Sequence, residues 1–488
     1  MIKKRFWLTV LFFLVINVCN SQTSSQSLVE RMDDLIQYQL PAGTNVGILA
    51  YDLTSEKVVY EYQSDLLCRP ASTMKLLTAI STLFLTPYDA PFKTEVWGVG
   101  EIKKDVLYGD LYVVGGYDPE FNEESMEGLV ERIEATGIRE IQGRLVGDVS
   151  MKDSLFWGSG WAWDDNPDYY QPYLSPLMYC KGTVTVKAIP DEQGQPAQIT
   201  TIPQSGYFTI DNQTFSKAPA AGRFRVQRNW LQDYQGLSGD GTANYIIVSG
   251  NVQHQTEGTI NVYKSDDYFL CALQEKLAER GILICESSAS FCYDVLPSDS
   301  SSLHLLATWE TPLQVVLNNQ LKESDNLNAE ALLCRLGAFV SGHRHISVNE
   351  GLDAIRGIIK ELGLNPASYK LADGSGLSGY NYLSPELEVA FLRYAYKDKE
   401  RLSHLMEALP IGGIDGTLKN RMKKGTPSFK RVYAKTGSFT GIYCLAGYVK
   451  NSEGHDICFS IMNQNALTGG PTRVFQDKVC DILVTAGN

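Results

Sequence analysis

The spacing of apolar residues changes character several times along the chain. In "NVGILAYDLTSEKVVYEYQ", from Asn45, apolar and polar residues alternate on both sides of a polar turn, which predicts two paired strands. From Ser72 the pattern lengthens: Leu76, Leu77, Ile80 and Leu83 recur at helical spacing. Residues 89–302 carry short strand-like runs ("VLYGDLYVVGG", "TVTVKAIP", "YIIVSGNVQ") broken by Gly, Asn and Asp. Two helical pieces, "MEGLVERIEATG" and "YFLCALQEKLAERGI", interrupt them. From 303 the period is helical again, through "SPELEVAFLRYAYKDKERLSHLMEAL". Three strands ("RVYAKTGSF", "GIYCLAGYVKN", "HDICFSIMNQNA") and a helix ("RVFQDKVCDILVTA") close the chain. This order predicts a multi-domain α+β protein in which both chain ends complete one sheet and a β-rich middle is inserted.

The length of 488 residues implies two or three domains. A formal charge of −13 without a long basic stripe excludes nucleic acid as a partner. The N-terminus changes the picture more. Lys3, Lys4 and Arg5 precede an apolar run from Phe6 to Val18, and small polar residues follow. That is the pattern of a secretory signal peptide cleaved after Ser21, which sends the chain to the periplasm. The run is too short for a stable membrane span, and no later stretch reaches the required length. Lipid attachment at Cys19 is disfavoured because Val18 before it is not small. Nine cysteines follow Cys19, an odd number and a low density for a disulfide framework. Cys285 and Cys292 are spaced either to close a small loop or to remain as two thiols.

A serine hydroxyl needs a group to take its proton. None of the six histidines sits in a triad signature, and "HRH" at 343–345 reads as a polar loop rather than a metal pair. Lysine can serve if burial or a neighbouring cation neutralises it. S-x-x-K occurs only at Ser72, placing Lys75 one helical turn away, on the same face. S-x-N spacing occurs at Ser324, Ser249 and Ser347. Ser324, with Asn326, lies in a turn between two amphipathic helices. Ser249 ends a strand, and Ser347 caps the next helix. "AKTGSF" adds Lys435, Thr436, Gly437 and Ser438 on a strand, its glycine allowing close approach of a substrate backbone. S-x-x-K, S-D-N and K-T-G in this order are the signature of penicillin-interacting serine enzymes.

Together with "DLYVVGGYDPEF", "GWAWDDNPDYY", "LADGSGLSGYN", "LPIGGIDGTLKNR" and "AKTGSFTGIYCLAGYV", these motifs make the mature chain resemble the class C low-molecular-mass penicillin-binding proteins, the D-alanyl-D-alanine carboxypeptidase/endopeptidase family. The resemblance implies a β-lactamase/transpeptidase-like domain with a mainly antiparallel sheet flanked by helices, interrupted by two nested β-rich inserts. The expected division is 1–21 signal peptide, 22–88 and 303–488 catalytic domain, 89–168 and 257–302 first insert, and 169–256 nested insert. It implies Ser72 as nucleophile, Lys75 as base and Ser324 as proton relay. Asn326, Lys435 and Thr436 would bind substrate, and the N–H groups of Ser72 and Ser438 would form an oxyanion hole. No metal or cofactor is implied. Partners would be peptidoglycan stem peptides and β-lactam antibiotics, with a homodimer or a monomer both left open. Some relatives carry an arginine where this chain has Gly379, and Asp165 matches a substrate-side position, with a surface carboxylate as the alternative. "DGSGLS" at 373–378 reads as a structural turn. Rival readings are a β-lactamase or esterase on the same scaffold, or a wall-binding protein without catalysis.

Overall fold

The computed structural model describes residues 26–228, 244–286, 291–298 and 302–485. The expected signal peptide, its cleavage site and Cys19 lie outside them. Elements of the module that carries the serine motif are numbered here in chain order, and those of the insert are given by residue range.

Helix α1 (Leu28–Gln39) starts at a capping box, in which Ser27 accepts from Glu30 N and the Glu30 side chain accepts from Ser27 N. Strands β1 (Asn45–Asp52) and β2 (Lys57–Tyr62) follow as an antiparallel pair. Then comes α2 (Met74–Leu85). After the insert the chain forms α3 (Leu313–Lys322), α4 (Asn326–Ser341) and α5 (Val348–Glu361). Ser347 caps α5 with a capping box, as its position suggests. The next apolar run divides in two, α6 (Pro385–Tyr396) and α7 (Lys399–Ala408), because Asp398 accepts from Glu400 N and Arg401 N and caps a new helix. Strands β3 (Val432–Phe439), β4 (Ile442–Lys450) and β5 (Asp456–Gln464) precede the last helix, α8 (Gly469–Thr485).

The sheet runs β3-β4-β5-β1-β2, antiparallel throughout. The first strand thus pairs with the last, Asn45 opposite Gln464 and Asp52 opposite Ile457. Its two faces are covered differently. Met32 and Leu35 of α1 and Phe475, Val479 and Leu483 of α8 pack with Ile48 and Phe459 on one side. On the other, α2 is wrapped by the helical layer, its Met74, Leu76, Leu77 and Ile80 fully buried among Leu332, Ile355 and Phe391. A helix apolar all round is a core helix, so any polar group on it must find partners inside the protein.

The insert is built on the antiparallel pair Phe92–Lys103 and Val106–Gly115. Short strands Glu140–Ile141 and Leu145–Asp148 run parallel to the second of these. Helices Glu123–Ala135 and Ser265–Glu279 bury Met126, Leu129 and Ile133 with Phe269 and Leu273 on this sheet. Two smaller three-stranded sheets follow. One joins Arg225–Arg228, Tyr245–Val252 and Thr209–Ser216. The other joins Thr256–Asn261, Thr183–Ile189 and Gln198–Ile202.

Leu303–Thr311 pairs with Phe92–Lys103, and Thr256–Asn261 pairs with Thr183–Ile189, each a returning strand whose partner lies far away in sequence. Cys285 and Cys292 are both free thiols, so the loop-closing disulfide is not formed.

Asn261 ties the nested sheet to the loop at 166–171. Its Nδ2 donates to Asn166 Oδ1 and Gln171 O, each at 2.7 Å, and its Oδ1 accepts from Arg228 at 2.7 Å. Replacing a fully buried hub of this kind strands its partners. Asn261→Ala is expected to cost about 2–4 kcal/mol, read as a lowered denaturation midpoint at unchanged denaturant slope.

Candidate active site

Ser72 lies in a tight turn, Ala71–Thr73, that runs directly into α2. It caps nothing, for no side-chain cap bond is made there. Ala71 before it is held at φ 48°, a left-handed conformation that costs energy in any residue but glycine. Two glycines let the surroundings close on this turn. A Cβ on Gly376 would sit 1.8 Å from Ala71 O, and one on Gly437 would sit 2.5 Å from Pro70 O.

One turn along α2, Lys75 is completely buried. Its Nζ donates to Ser72 Oγ at 3.0 Å, Asn326 Oδ1 at 2.7 Å and Ser375 O at 2.7 Å. Burial pushes its pKa down to about 8; the carboxylates of Asp373, Asp325 and Glu330 pull the other way and limit the fall. Lys435, on β3, is also completely buried. Its Nζ donates to Ser324 Oγ at 2.7 Å and to Thr436 O at 2.8 Å. Burial, and then the nearby charge of Lys75, hold the pKa of Lys435 far below that of a free lysine.

Ser324 sits between α3 and α4 at φ 63°, which turns its hydroxyl toward Lys435. Asp325 caps α4 by accepting from Asn328 N at 2.9 Å. Asn326, the first residue of α4, is held at both ends of its amide: Oδ1 by Lys75 and Nδ2 by Tyr170 O at 2.8 Å. Ser72, Ser324, Asn326 and Ser438 line one cavity of about 530 Å3, together with Asp165 and Lys181. Thr436 and Gly437 stand beside it on β3. The Thr436 hydroxyl donates to Thr417 at 2.8 Å, and Gly437 provides the close approach to the nucleophile turn. Asp165 accepts from Tyr170 OH at 2.9 Å. Burial raises its pKa, and Asp164 and Asp168 add to the rise, against the Tyr170 bond. Around Gly379 a Cβ would meet nothing within 4 Å, so that position is open.

The structure adds supporting residues to which the sequence assigns no role: Lys181 and Glu330, which lie outside the quoted motifs, and Trp161, which lies inside one. Lys181 (φ 63°) pairs with Glu120 within the insert at 2.5 Å and reaches from the insert to Asn328 at 2.6 Å and Asp325 at 3.3 Å. Burial works against its charge, but Asp325 and Glu120 outweigh burial and raise its pKa. It thus fixes the loop that carries Ser324. Trp161, also from the insert, donates to Asp373 at 2.9 Å. Asp373 in turn accepts from Gly376 N at 2.8 Å, Ser378 N at 2.6 Å and Asn381 Nδ2 at 2.7 Å, so "DGSGLS" is a structural turn. Glu330 braces the same turn, accepting from Ser375 N at 2.9 Å. Burial and then Asp373 raise its pKa to about 8. The positive φ of Lys181 and the long range of the Trp161 contact have no signature in composition or spacing.

A serine hydroxyl bonded to an amine that burial has stripped of much of its hold on a proton defines a serine acyl-transfer centre. The whole chain agrees. Residues 28–482 match the D-Ala-D-Ala carboxypeptidase 3 (S13) family, and the chain belongs to that family. It is 30% identical over 441 residues to the D-alanyl-D-alanine carboxypeptidase DacB of Haemophilus influenzae, covering 88% of this chain and 87% of that one. Identity to the D-alanyl-D-alanine carboxypeptidase of Actinomadura sp. (strain R39) is 27% over 467 residues, 93% of this chain and 83% of the relative. The crystal structure of penicillin binding protein 4 (dacB) from Haemophilus influenzae superposes with a TM-score of 0.78 at 26% identity, covering 93% of this chain and 99% of that one. The same protein has been solved in complex with a β-lactam, with a TM-score of 0.73 to this chain. The protein is a serine D,D-peptidase of the penicillin-binding class, with the α+β fold that its sequence predicts.

Gly376→Ala tests whether the close approach at the nucleophile turn matters. Its φ of +80° and the 1.8 Å clash cannot both be relieved without moving Ala71. A loss of about 2–4 kcal/mol in thermal or denaturant unfolding is expected, with slower penicillin labelling of whatever protein remains folded.

Proposed function

We propose that the protein is an exported D,D-peptidase acting on peptidoglycan stem peptides, as carboxypeptidase at the D-Ala-D-Ala end and as endopeptidase at D-Ala cross-links. Ser72 Oγ attacks the carbonyl carbon of the penultimate D-Ala while Lys75 Nζ takes its proton. The oxyanion that forms accepts hydrogen bonds from the N–H groups of Ser72 and Ser438. The C–N bond then breaks, and the proton returns to the leaving amine through Ser324. Water hydrolyses the ester and frees Ser72. The observation that carries this reading is the 3.0 Å bond from the fully buried Lys75 Nζ to Ser72 Oγ, which lines the cleft.

Lys435 and Thr436 receive the terminal carboxylate. An arriving anion favours the charged form of Lys435, and that charge further weakens the hold of Lys75 on its proton. Asn326 orients the peptide through its side-chain amide, and Asp165 faces the stem-peptide side chain from the insert. β-Lactams acylate the same serine. The signal-peptide pattern supports a periplasmic location, and among the described residues no helix is long and apolar enough to cross a membrane. We also assign the catalytic domain to the segments flanking residues 89–311, with the nested insert between 169 and 261.

Two outcomes check this reading. Purified peptidoglycan digested with the protein should release free D-Ala and lose cross-linked dimers by mass spectrometry. Ser72→Ala should do neither, and equal activity in that variant would end the assignment. Lys75 works as a base only when neutral, and its pKa is about 8. The rate of acylation by penicillin should therefore rise about tenfold per pH unit below that value and level off above it. Lys75→Met should slow acylation by about 10²–10⁴-fold and abolish this rise.

A further inference from the structure

A second cavity, of about 670 Å3, adjoins the catalytic cleft. The two share one stretch of chain: Tyr169, Tyr170 and Pro172 line the cleft, while Tyr173, Leu174, Ser175 and Pro176 line the second cavity. Its volume falls in the range of small-molecule sites, about 300–1,000 Å3. It forms where the insert meets the helical layer, with His345 contributed from beyond α4.

Its walls are aromatic and fixed in place. The Phe156 ring packs 5.1 Å from Tyr173, and Tyr173 lies 5.3 Å from Tyr263 in an edge-on arrangement. Trp157 backs Phe156 at 5.3 Å. Tyr293 is anchored by its hydroxyl, which donates to Asp267 at 2.5 Å. Yet Phe156 keeps 42% and Tyr293 40% of their surface exposed. Rigid aromatic faces left open inside a cavity are stacking surfaces awaiting an apolar partner.

The charges in the cavity exclude an ionic ligand as the main occupant. Lys152 is spent on Asp153 at 2.6 Å, and Lys264 on Asp267 at 3.6 Å. Asp266 uses one oxygen to accept from Asp267 N at 3.0 Å. Burial, and then Asp267, raise its pKa to about 6, so it gains from a hydroxyl or amide donor. His345 Nδ1 lies 2.8 Å from Ser150 O, which orients the ring. A neutral ligand with apolar faces and hydrogen-bonding edges fits this lining. A pyranose ring has that form: C–H faces for stacking, and hydroxyls and an N-acetyl amide for acceptors.

We propose that this cavity binds the amino-sugar backbone of peptidoglycan, with Phe156 and Tyr293 as stacking faces and Asp266 as the polar anchor. The proposal rests on the peptidoglycan reading of the catalytic cleft. The two linings meet along the segment 169–176, which brings the sites within reach of one polymer. Tyr170 and Tyr173 are three residues apart, at most about 11 Å of extended chain. A stem peptide is a few residues long, so its D-Ala end can lie in the cleft while the sugar that bears it sits next door. The site would favour polymeric substrate over free peptide by raising the local concentration of stem peptides.

The test uses the full chain, uncharged oligomers of β-1,4-linked N-acetylglucosamine as the glycan probe, and a sugar-free acyl-tripeptide ending in D-Ala-D-Ala. Calorimetric titration should show saturable glycan binding. Phe156→Ala and, separately, Tyr293→Ala should weaken it about tenfold. Both variants should leave kcat/KM on the sugar-free peptide unchanged and lower kcat/KM on polymeric peptidoglycan. Absence of saturable glycan binding, unchanged binding in both variants, or an equal loss on both substrates would overturn the proposal. Failure of the wild-type protein to hydrolyse the sugar-free peptide would instead overturn the catalytic reading, while the glycan titration would still report on the cavity.

Discussion

The structure turns on one buried ammonium. Lys75 lies on a core helix where a charge is costly, and three acceptors from three separate segments meet it: Ser72 Oγ, Asn326 Oδ1 and Ser375 O. Each acceptor is itself fixed. Ser375 belongs to the turn braced by Asp373 and Glu330, and Asn326 opens α4 and is pinned by Tyr170. Satisfying this amine and building the active site are therefore the same structural problem. The second lysine, Lys435, completes it, because two amines close together in a dry site cannot both hold their protons easily.

The insert is part of this solution. Trp161 meets Asp373, Tyr170 meets Asn326, and Lys181 meets Asp325. Every one of these contacts runs from the insert to a residue that touches or supports the catalytic groups. The long interruption between Lys75 and Ser324 thus supplies one wall of the cleft and the braces of the S-D-N loop. A serine enzyme without such an insert must hold that loop by other means.

Much of the site was legible because its chemistry imposes local spacing. Ser72 and Lys75 share a helix face at three residues' separation, and Ser324 and Asn326 straddle a helix start. The sheet completed by both chain ends was legible from the order of periods, since β1 and β5 show strand patterns at opposite ends of the sequence. What stayed hidden depends on contacts between distant segments. Nothing in "MYCKGTV" marks Lys181 as an ion-pair partner of Asp325, and no local period reveals that Leu303–Thr311 returns to Phe92–Lys103. Strand pairing is set by partners, which local periodicity does not name. The spacing of Cys285 and Cys292 permitted a bond that the fold does not make.

The pairing of the first strand with the last has a temporal meaning. Asn45 meets Gln464, so a chain emerging from its N-terminus holds Ser72 and Lys75 long before the strand that bears Lys435 exists. A chain cut short before β3 therefore lacks the strand of Lys435 and the strands that close the sheet beside Ser72 and Lys75.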